Sequence, residues 1–464
     1  MIDGLKPYPE YKDSGQAWLG SVPRHWPVLP NRAIFTEAKD RDHADAEMLS
    51  VTITRGIVRQ KALLSDSSKK DSSNQDKSKY KLVQPRDIAY NKMRAWQGAI
   101  GVSDLHGIIS PAYIVMRLRE EQNARYFHHL YRTPQFAKEA ERWSYGITSD
   151  MWSLRPEHFK LIYSARPPRD EQDAIVRFLD HANGRIERAI RAKQKLMALL
   201  NEQKQAIIHR AVTRGLNPNV PLKPSGIPWL GDIPKHWGII SLRMRYSVEL
   251  GKMLDGKRFT GRYSIPYLRN RDVQWDKILI DDLPTMDIPP AEFPRYTVRK
   301  GDLLVCEGGE VGRCAFWKEE LTICGFQKAL HRIRALDANR DHPRFFFYQM
   351  QLAAGRGIFS ADGNENTIAH LTCEKLRRHR FTFPAFEEQK SIANYLDAEL
   401  EKFNIASART EREMGLLREY RTRLVADVVT GKLDVRAAAR HLPAEAAEPE
   451  AAIPAEDLPE EIEP

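Results

Sequence analysis

The stretch SGQAWLGSVPRHWPV at Ser14–Val28 returns as SGIPWLGDIPKHWGI at Ser225–Ile239, 211 residues later, with eight of fifteen positions identical. The identical pairs include Trp18/Trp229, Pro23/Pro234, His25/His236 and Trp26/Trp237, scarce residue types that chance rarely aligns. A period near 200 is far too long for a solenoid, in which one supersecondary unit stacks on the next. The chain must instead fold as two copies of a larger unit. A second matching pair supports this. PPRDEQDAIVRFLD begins at Pro167 and PAFEEQKSIANYLD at Pro384, an offset of 217, so six net residues separate the copies between landmarks.

Both downstream segments read as long helices. Acidic residues stand in their first turns, where negative charge suits the helix dipole, and neither segment has an internal proline. In the first, Ile175, Ala182, Ala189, Leu196 and Gln203 recur every seven residues, with Leu179, Ile186, Lys193, Leu200 and Ile207 four places on. That 4-3 alternation is a coiled-coil seam. The second carries Leu396, Phe403, Leu417 and Leu424, with Leu400, Met414 and Val428 beside them. Lys193 and Thr410 interrupt the seam at equivalent places, which suits a register-fixing role. A helix from Ile175 to Val212 runs about 57 Å at 1.5 Å per residue, too long for one small domain to cover. The expected class is α+β: two mixed α/β domains separated by two long helices forming an antiparallel coiled coil, related by a pseudo-two-fold internal repeat. The expected boundaries are 1–167, 168–217 (first helix), 218–384, 385–436 (second helix) and 437–464, an acidic disordered tail.

Charge points to the partner. The chain carries +10, yet residues 443–464 hold eight acidic residues and no Lys or Arg, so the remainder carries +18. A body that basic suits a polyanion. No apolar run reaches the length of a membrane span, and the first residues lack a basic-then-apolar leader, so a cytoplasmic chain with no membrane partner is expected. Cys306, Cys314, Cys324 and Cys373 form no C-x-x-C pair and read as free thiols, with no metal site expected.

Within each copy, a turn ending in Asp (Arg86-Asp87, Gly301-Asp302) joins two short apolar strands, followed by a Gly-containing loop and more β-prone sequence. RYFHHLYRTPQFAKEAERW and PRFFFYQMQLAAGRGIF read as helices after the strands. The copies differ most in their loops: SDSSKKDSSNQDKSKY from Ser65 in the first, GKMLDGKRFTGRYS from Gly251 and RGIFSADGNENT from Arg356 in the second. Gly308–Gly312 lacks the spacing of a phosphate-binding loop, Glu374-Lys375 has no carboxylate partner for a nuclease site, and His25 and His236 read as packing or hydrogen-bonding residues at a domain–helix junction.

The W-L-G-x-[VI]-P-x-H-W opening, the strand–[RG]-Asp–strand core and the P-x-x-[DE]-E-Q lead into a long helix resemble the specificity subunit of type I restriction-modification systems. The resemblance covers both halves of the chain apart from the acidic tail. It implies that each globular unit is a target recognition domain reading one half of a bipartite, asymmetric site in double-stranded DNA. It implies that the helices, beginning at Glu171-Gln172 and Glu388-Gln389, form the spacer and help dock two adenine-N6 methyltransferase subunits, with restriction (translocase/nuclease) subunits completing the complex. No cofactor is then expected in this chain; S-adenosylmethionine and ATP/Mg belong to partner subunits. Candidate DNA contacts are Lys69, Lys70, Lys77, Lys79, Asn91, Lys92, Arg94 and Gln97 in the first copy. In the second they are Arg258, Arg262, Tyr263, Arg269, Asn270, Arg271, Gln327 and Lys328. Asn and Gln pair with adenine edges, Arg and Lys with guanine, and lysines in loops with phosphate.

Three other readings compete. A single-chain methyltransferase or nuclease would need an Asn/Asp-Pro-Pro-Tyr/Phe motif or a Rossmann fingerprint; Asp287-Ile288-Pro289-Pro290 is neither. A scaffold without DNA would show salt-insensitive partner binding. A phage-defence methylation system lacking a restriction subunit would use the same chain.

Overall fold

Each Trp-rich sentence closes a short antiparallel ladder on the residues just before it. In the computed structural model, which describes residues 5–65, 77–148, 151–254, 260–359 and 370–442, Tyr11–Asp13 pairs with Ser21–Pro23 and Leu222–Pro224 with Asp232–Pro234. Gly20 and Gly231 turn the chain at φ +64° and +63°, a left-handed backbone that favours glycine. Lys69, Lys70, Arg258, most of the loop after Arg356 and the tail beyond Leu442 lie outside the described residues; the tail expected from residue 437 starts too early, since Arg436–Arg440 is helical and Ala439 is buried in the first core.

The chain divides into two compact units, Met1–Lys193 with Arg412–Pro464, and Gln194–Glu411. In the first, β1 (Phe35–Ala38), β2 (Ile88–Asn91), β3 (Ile100–Val102) and β4 (Tyr113–Leu118) form an antiparallel sheet of order β1-β4-β2-β3. Helices α1 (Ala124–Tyr131) and α2 (Pro134–Arg142) follow. The sequence reads as one helix here. Thr133 splits it, its hydroxyl accepting from Phe136 N at 3.2 Å to cap α2, whose first residue is Pro134. Phe127, Leu130, Tyr131 and Phe136 pack with Phe35, Tyr90 and Phe159 in one core.

The second unit repeats the plan. β5 (Tyr246–Leu250), β6 (Leu303–Cys306), β7 (Cys314–Phe316) and β8 (Leu330–Ala335) form an antiparallel sheet of order β5-β8-β6-β7. Helix α4 (Pro343–Gly355) packs Phe345, Phe346 and Met350 into its core. The paired Asp residues are structural. Asp87, buried before β2, takes a two-pronged ion pair from Arg117 on β4, with both contacts at 2.9 Å. Asp302, buried before β6, takes the same pair from Arg334 on β8, with both contacts at 2.6 Å. Each carboxylate also caps its own turn, accepting from Gln84 N and Arg299 N.

The two long helices are α3 (Arg169–Arg214) and α5 (Phe386–Val429). At 46 residues α3 is about 69 Å long. Each unit takes one part of each helix, because covalent continuity carries a helix past the residues that pack around either end. In the first unit, Glu187 meets Arg421 and Lys193 meets Glu413, so partners descend α5 as numbers climb α3: the pair is antiparallel. In the second unit Lys204 donates to Asn404 at 2.8 Å. In α3 the heptad reading holds at Ile175, Leu179, Ala182 and Ile186 and then loses one of its two stripes, whereas in α5 it holds throughout, with Leu396, Leu400, Met414, Leu424 and Val428 buried and Phe403 and Leu417 half-buried. Leu196 is 45 % exposed and Gln203 is exposed, whereas Ile190 and Ile208 are buried. An α-helix turns every 3.6 residues, so a seven-residue stripe slips by about 20° per heptad unless the helix supercoils to match. The buried line of α3 follows that helix's own pitch. Thr410 is buried and bonds back to Ala406 O at 2.8 Å. Among the described residues, no helix is long and apolar enough to cross a membrane.

Candidate nucleic-acid interface

The junction between each globular part and its helix explains the opening motif. Glu171 in the first turn of α3 accepts Trp26 Nε1 at 2.8 Å and faces His25 Nε2 at 2.7 Å. Tyr8 Oη and Arg436 add contacts at 3.2 Å each. Glu388 in α5 repeats the core of this with Trp237 Nε1 at 3.1 Å and His236 Nε2 at 2.9 Å. The next residue works alike in both copies. Gln172 accepts Asn123 N and donates to Pro167 O, both at 2.8 Å; Gln389 accepts His342 N and donates to Pro384 O, both at 2.9 Å. Asn123 and His342 are the residues just before α1 and α4. The E-Q pair thus fastens the start of each long helix to the domain it leaves, and both residues are taken up by structure.

The variable loops are held clear of that machinery. In the first unit, Asn91–Gly98 connects β2 to β3. Asn91 Oδ1 accepts Met93 N at 3.0 Å, and Arg94 donates to Gln97 Oε1 at 3.1 Å. Lys92 is half-buried, and Lys77 and Lys79 precede the strand Lys81–Val83, Lys77 half-buried and Lys79 exposed. Arg132, just past α1, was missed in the sequence. Its guanidinium donates to Ile53 O, Thr54 O and Ile100 O at 2.7–2.9 Å, tying the Thr52–Gly56 turn to the base of the β2–β3 loop. Nothing local marks such a residue, because its partners lie more than thirty positions away. Beside it His128 Nδ1 accepts Val102 N at 3.2 Å. Burial, then the neighbouring Arg132, pushes its pKa well below the ordinary 6.5, consistent with a neutral acceptor.

In the second unit the candidates separate by what their side chains already do. Arg269 grips Asp272 through both nitrogens, at 2.8 and 2.9 Å, and Asn270 donates to Gly308 O at 3.0 Å while accepting Arg313 at 3.1 Å. These two shape the surface. Arg262, Tyr263 and Lys328 are exposed, Arg271 is exposed but lies 3.8 Å from Asp272 and 3.6 Å from Asp282, and Gln327 is half-buried. Asp287 organises the Thr260–Tyr263 turn, accepting Thr260 Oγ1 at 2.7 Å and the backbone N–H of Thr260, Gly261 and Tyr263. The Thr260 hydroxyl and those N–H groups hold its carboxyl below the usual range. Arg262 lies over the Tyr263 ring at 5.4 Å. The topological equivalent of the first unit's β2–β3 loop is Glu307–Arg313, between β6 and β7. Asn270 lies against it, and Gly312, at φ +86°, has no room for a side chain beside Phe359. Among the described residues, no group of three His, Cys, Asp or Glu is placed to hold a metal ion.

Comparison with known proteins agrees with this construction. Residues 246–412 match the family model of the type I restriction modification DNA specificity domain. Over 206 residues the chain is 25 % identical to the EcoBI specificity subunit of a type I restriction enzyme from Escherichia coli; the match takes in 44 % of this chain and spans 40 % of that relative's length. A solved chain from a type I R-M system, described for complex assembly and conformational transition, has a TM-score of 0.67 at 14 % identity. That alignment covers 89 % of this chain and 99 % of the other, and at such identity it shows the fold. The HsdS subunit of Thermoanaerobacter tengcongensis has a TM-score of 0.46 at 16 % identity, covering 89 % and 98 %. Residues 246–412, nearly all in the second unit, are therefore similar to the DNA specificity domain of type I restriction modification systems. The resemblance of the chain to the specificity subunits of that family, read from its repeated motifs, is borne out by the family model and the EcoBI relative.

Proposed function

We propose that this chain is the sequence-specific DNA-recognition subunit of a type I restriction-modification complex and is itself non-catalytic. Each unit reads one short word of a bipartite, asymmetric site in double-stranded DNA. Adenine-N6 methyltransferase subunits, two by the family's plan, and restriction subunits dock on the chain and bring S-adenosylmethionine and ATP/Mg with them, in the cytoplasm. The observation that carries the reading is the repetition: one sheet order and one Glu–His–Trp junction occur in both units, one of which matches the DNA specificity family, while the loops they support differ. A common frame with unlike loops is what reading two unlike words requires.

Lys77, Lys79, Lys92, Arg262, Arg271 and Lys328 carry cations suited to phosphate or guanine, and Asn91 and Gln327 have amides suited to adenine. Arg94 and Gln97 exchange their mutual bond for base contacts. Lys69, Lys70 and Arg258 join the set by sequence alone. Arg269 and Asn270 act from behind, holding the loops in shape. The test is to map methylated adenines across a genome with and without this chain, expressed with the methyltransferase subunits. Two short words at a fixed gap, appearing only with the chain, are expected. One continuous word, or a pattern independent of the chain, contradicts the reading, as does methyl transfer by the purified chain alone.

A further inference from the structure

The first unit ends its helical layer in an exposed apolar tip that none of the assigned contacts uses. Tyr145 is 58 % exposed, Met151 53 % and Ile147 93 %. Such exposure in large apolar side chains clustered on one short turn marks a surface with a partner. The described residues on either side of the turn are held in place. Tyr145 and Ser153 exchange backbone hydrogen bonds at 3.4 and 3.1 Å, and Met151 N bonds Thr148 O at 3.0 Å. Gly146 sits so close to the returning strand that a Cβ there would lie 2.4 Å from Met151 O. Beneath, the Tyr145 ring meets His158 edge-on at 5.1 Å.

What the tip faces is indicated by its neighbour. Leu154 N bonds Lys92 O at 2.8 Å, and Trp152 meets Trp96 edge-on at 5.5 Å. Both contacts fasten the tip to the Asn91–Gly98 loop, which carries Lys92 and Arg94 and no acidic residue. The tip thus sits beside a loop that carries cations. Three side chains fall well short of the about 800 Å² per partner that a stable protein interface buries. They match what a groove offers: the C5-methyl of thymine is an apolar feature of the major groove.

We propose that Tyr145, Ile147 and Met151 form an apolar base-reading element, touching thymine methyl groups in the word read by the first unit while the adjoining loop holds phosphate and polar base edges. This rests on the DNA-recognition reading and adds to it a specificity element of different chemistry. The test uses the full-length chain with its methyltransferase subunits and the duplex found by methylation mapping. The double variant Tyr145→Ser/Ile147→Ser, at exposed positions, should keep the wild-type melting midpoint and its affinity for a scrambled duplex. Its affinity for the mapped duplex should fall about tenfold, with the slope of log affinity against log salt unchanged because no phosphate contact is lost. Replacing thymine by uracil in the first unit's word should weaken the wild type and leave the variant indifferent. Equal affinity of variant and wild type, equal loss on mapped and scrambled duplexes, or indifference of the wild type to uracil overturns the proposal. So does loss of methyltransferase association with DNA affinity intact, which would make the tip a protein contact. If the wild type does not distinguish mapped from scrambled duplex, it is the DNA-recognition reading itself that fails.

Discussion

The two junctions use one motif and close it differently. Glu171 gathers four donors and its side chain is 5 % exposed, whereas Glu388 gathers two and is 31 % exposed. In the first unit both extra donors come from segments near the ends of the sequence. Lys6 and Asp434 form an antiparallel bridge, Tyr11 Oη bonds Gly431 O at 3.1 Å, and Arg436 lies 4.9 Å over the Tyr8 ring while reaching Glu171. In the second unit the corresponding place is held by continuous chain: Gly215, at φ +73° just after α3, leaves no easy room for a side chain between Glu388 and Trp237. Covalent continuity in one copy does what an ion pair and a cation–π contact do in the other. The motif fixes the tryptophan and the carboxylate; the surroundings decide how much the carboxylate matters.

This comparison can be broken at several depths. Trp26→Ala and Trp237→Ala empty fully buried sites in both units and should cost about 3–5 kcal/mol each, read by urea denaturation. Unequal costs here would mean that the two cores, and not only the junctions, differ. Glu171→Gln takes the buried carboxylate from four donors, of which only Arg436 keeps a second acid, Asp434, and should cost about 3 kcal/mol, against about 1 kcal/mol for Glu388→Gln, which is 31 % exposed. Equal losses would remove the distinction drawn above. Asp87→Asn and Asp302→Asn break equivalent ion pairs and should each cost about 2 kcal/mol, sharpening the case that the sheets, unlike the junctions, are alike. The shallowest effect is on pH. Burial depresses the pKa of His128 in the first unit and of His331 and His342 in the second. Each is neutral when folded while its unfolded form takes up a proton below about 6.5, so stability is full above that pH and declines as pH falls. A stability profile flat from pH 7 to 5 would contradict this placement.

The long helices, the repeat and the junction residues were legible because they are written locally: acidic first turns, missing prolines, and scarce residues recurring in order. The Asp of each turn was visible, but its arginine was not, since Arg117 and Arg334 lie 30 and 32 residues downstream on another strand. The seam of α5 was legible throughout; that of α3 was legible for as long as a seven-residue count and a 3.6-residue turn agree, and one of its stripes was lost beyond Ile186. Among the candidate contacts, composition gave residue types that suit DNA. It did not separate Arg269 and Asn270, consumed by Asp272 and by Gly308 and Arg313, from Arg262 and Lys328, which stand exposed. The apolar tip escaped because exposed Ile and Tyr look like core residues until burial is known.

The central claim is that two dissimilar readers each own one word of the site. It is tested most directly by mapping methylated adenines after replacing Asn91–Gly98 with the equivalent loop of another such protein, leaving Gln194–Glu411 untouched. One word should change while the other keeps its sequence. If both words change together, or neither does, the division of labour between the two units is wrong.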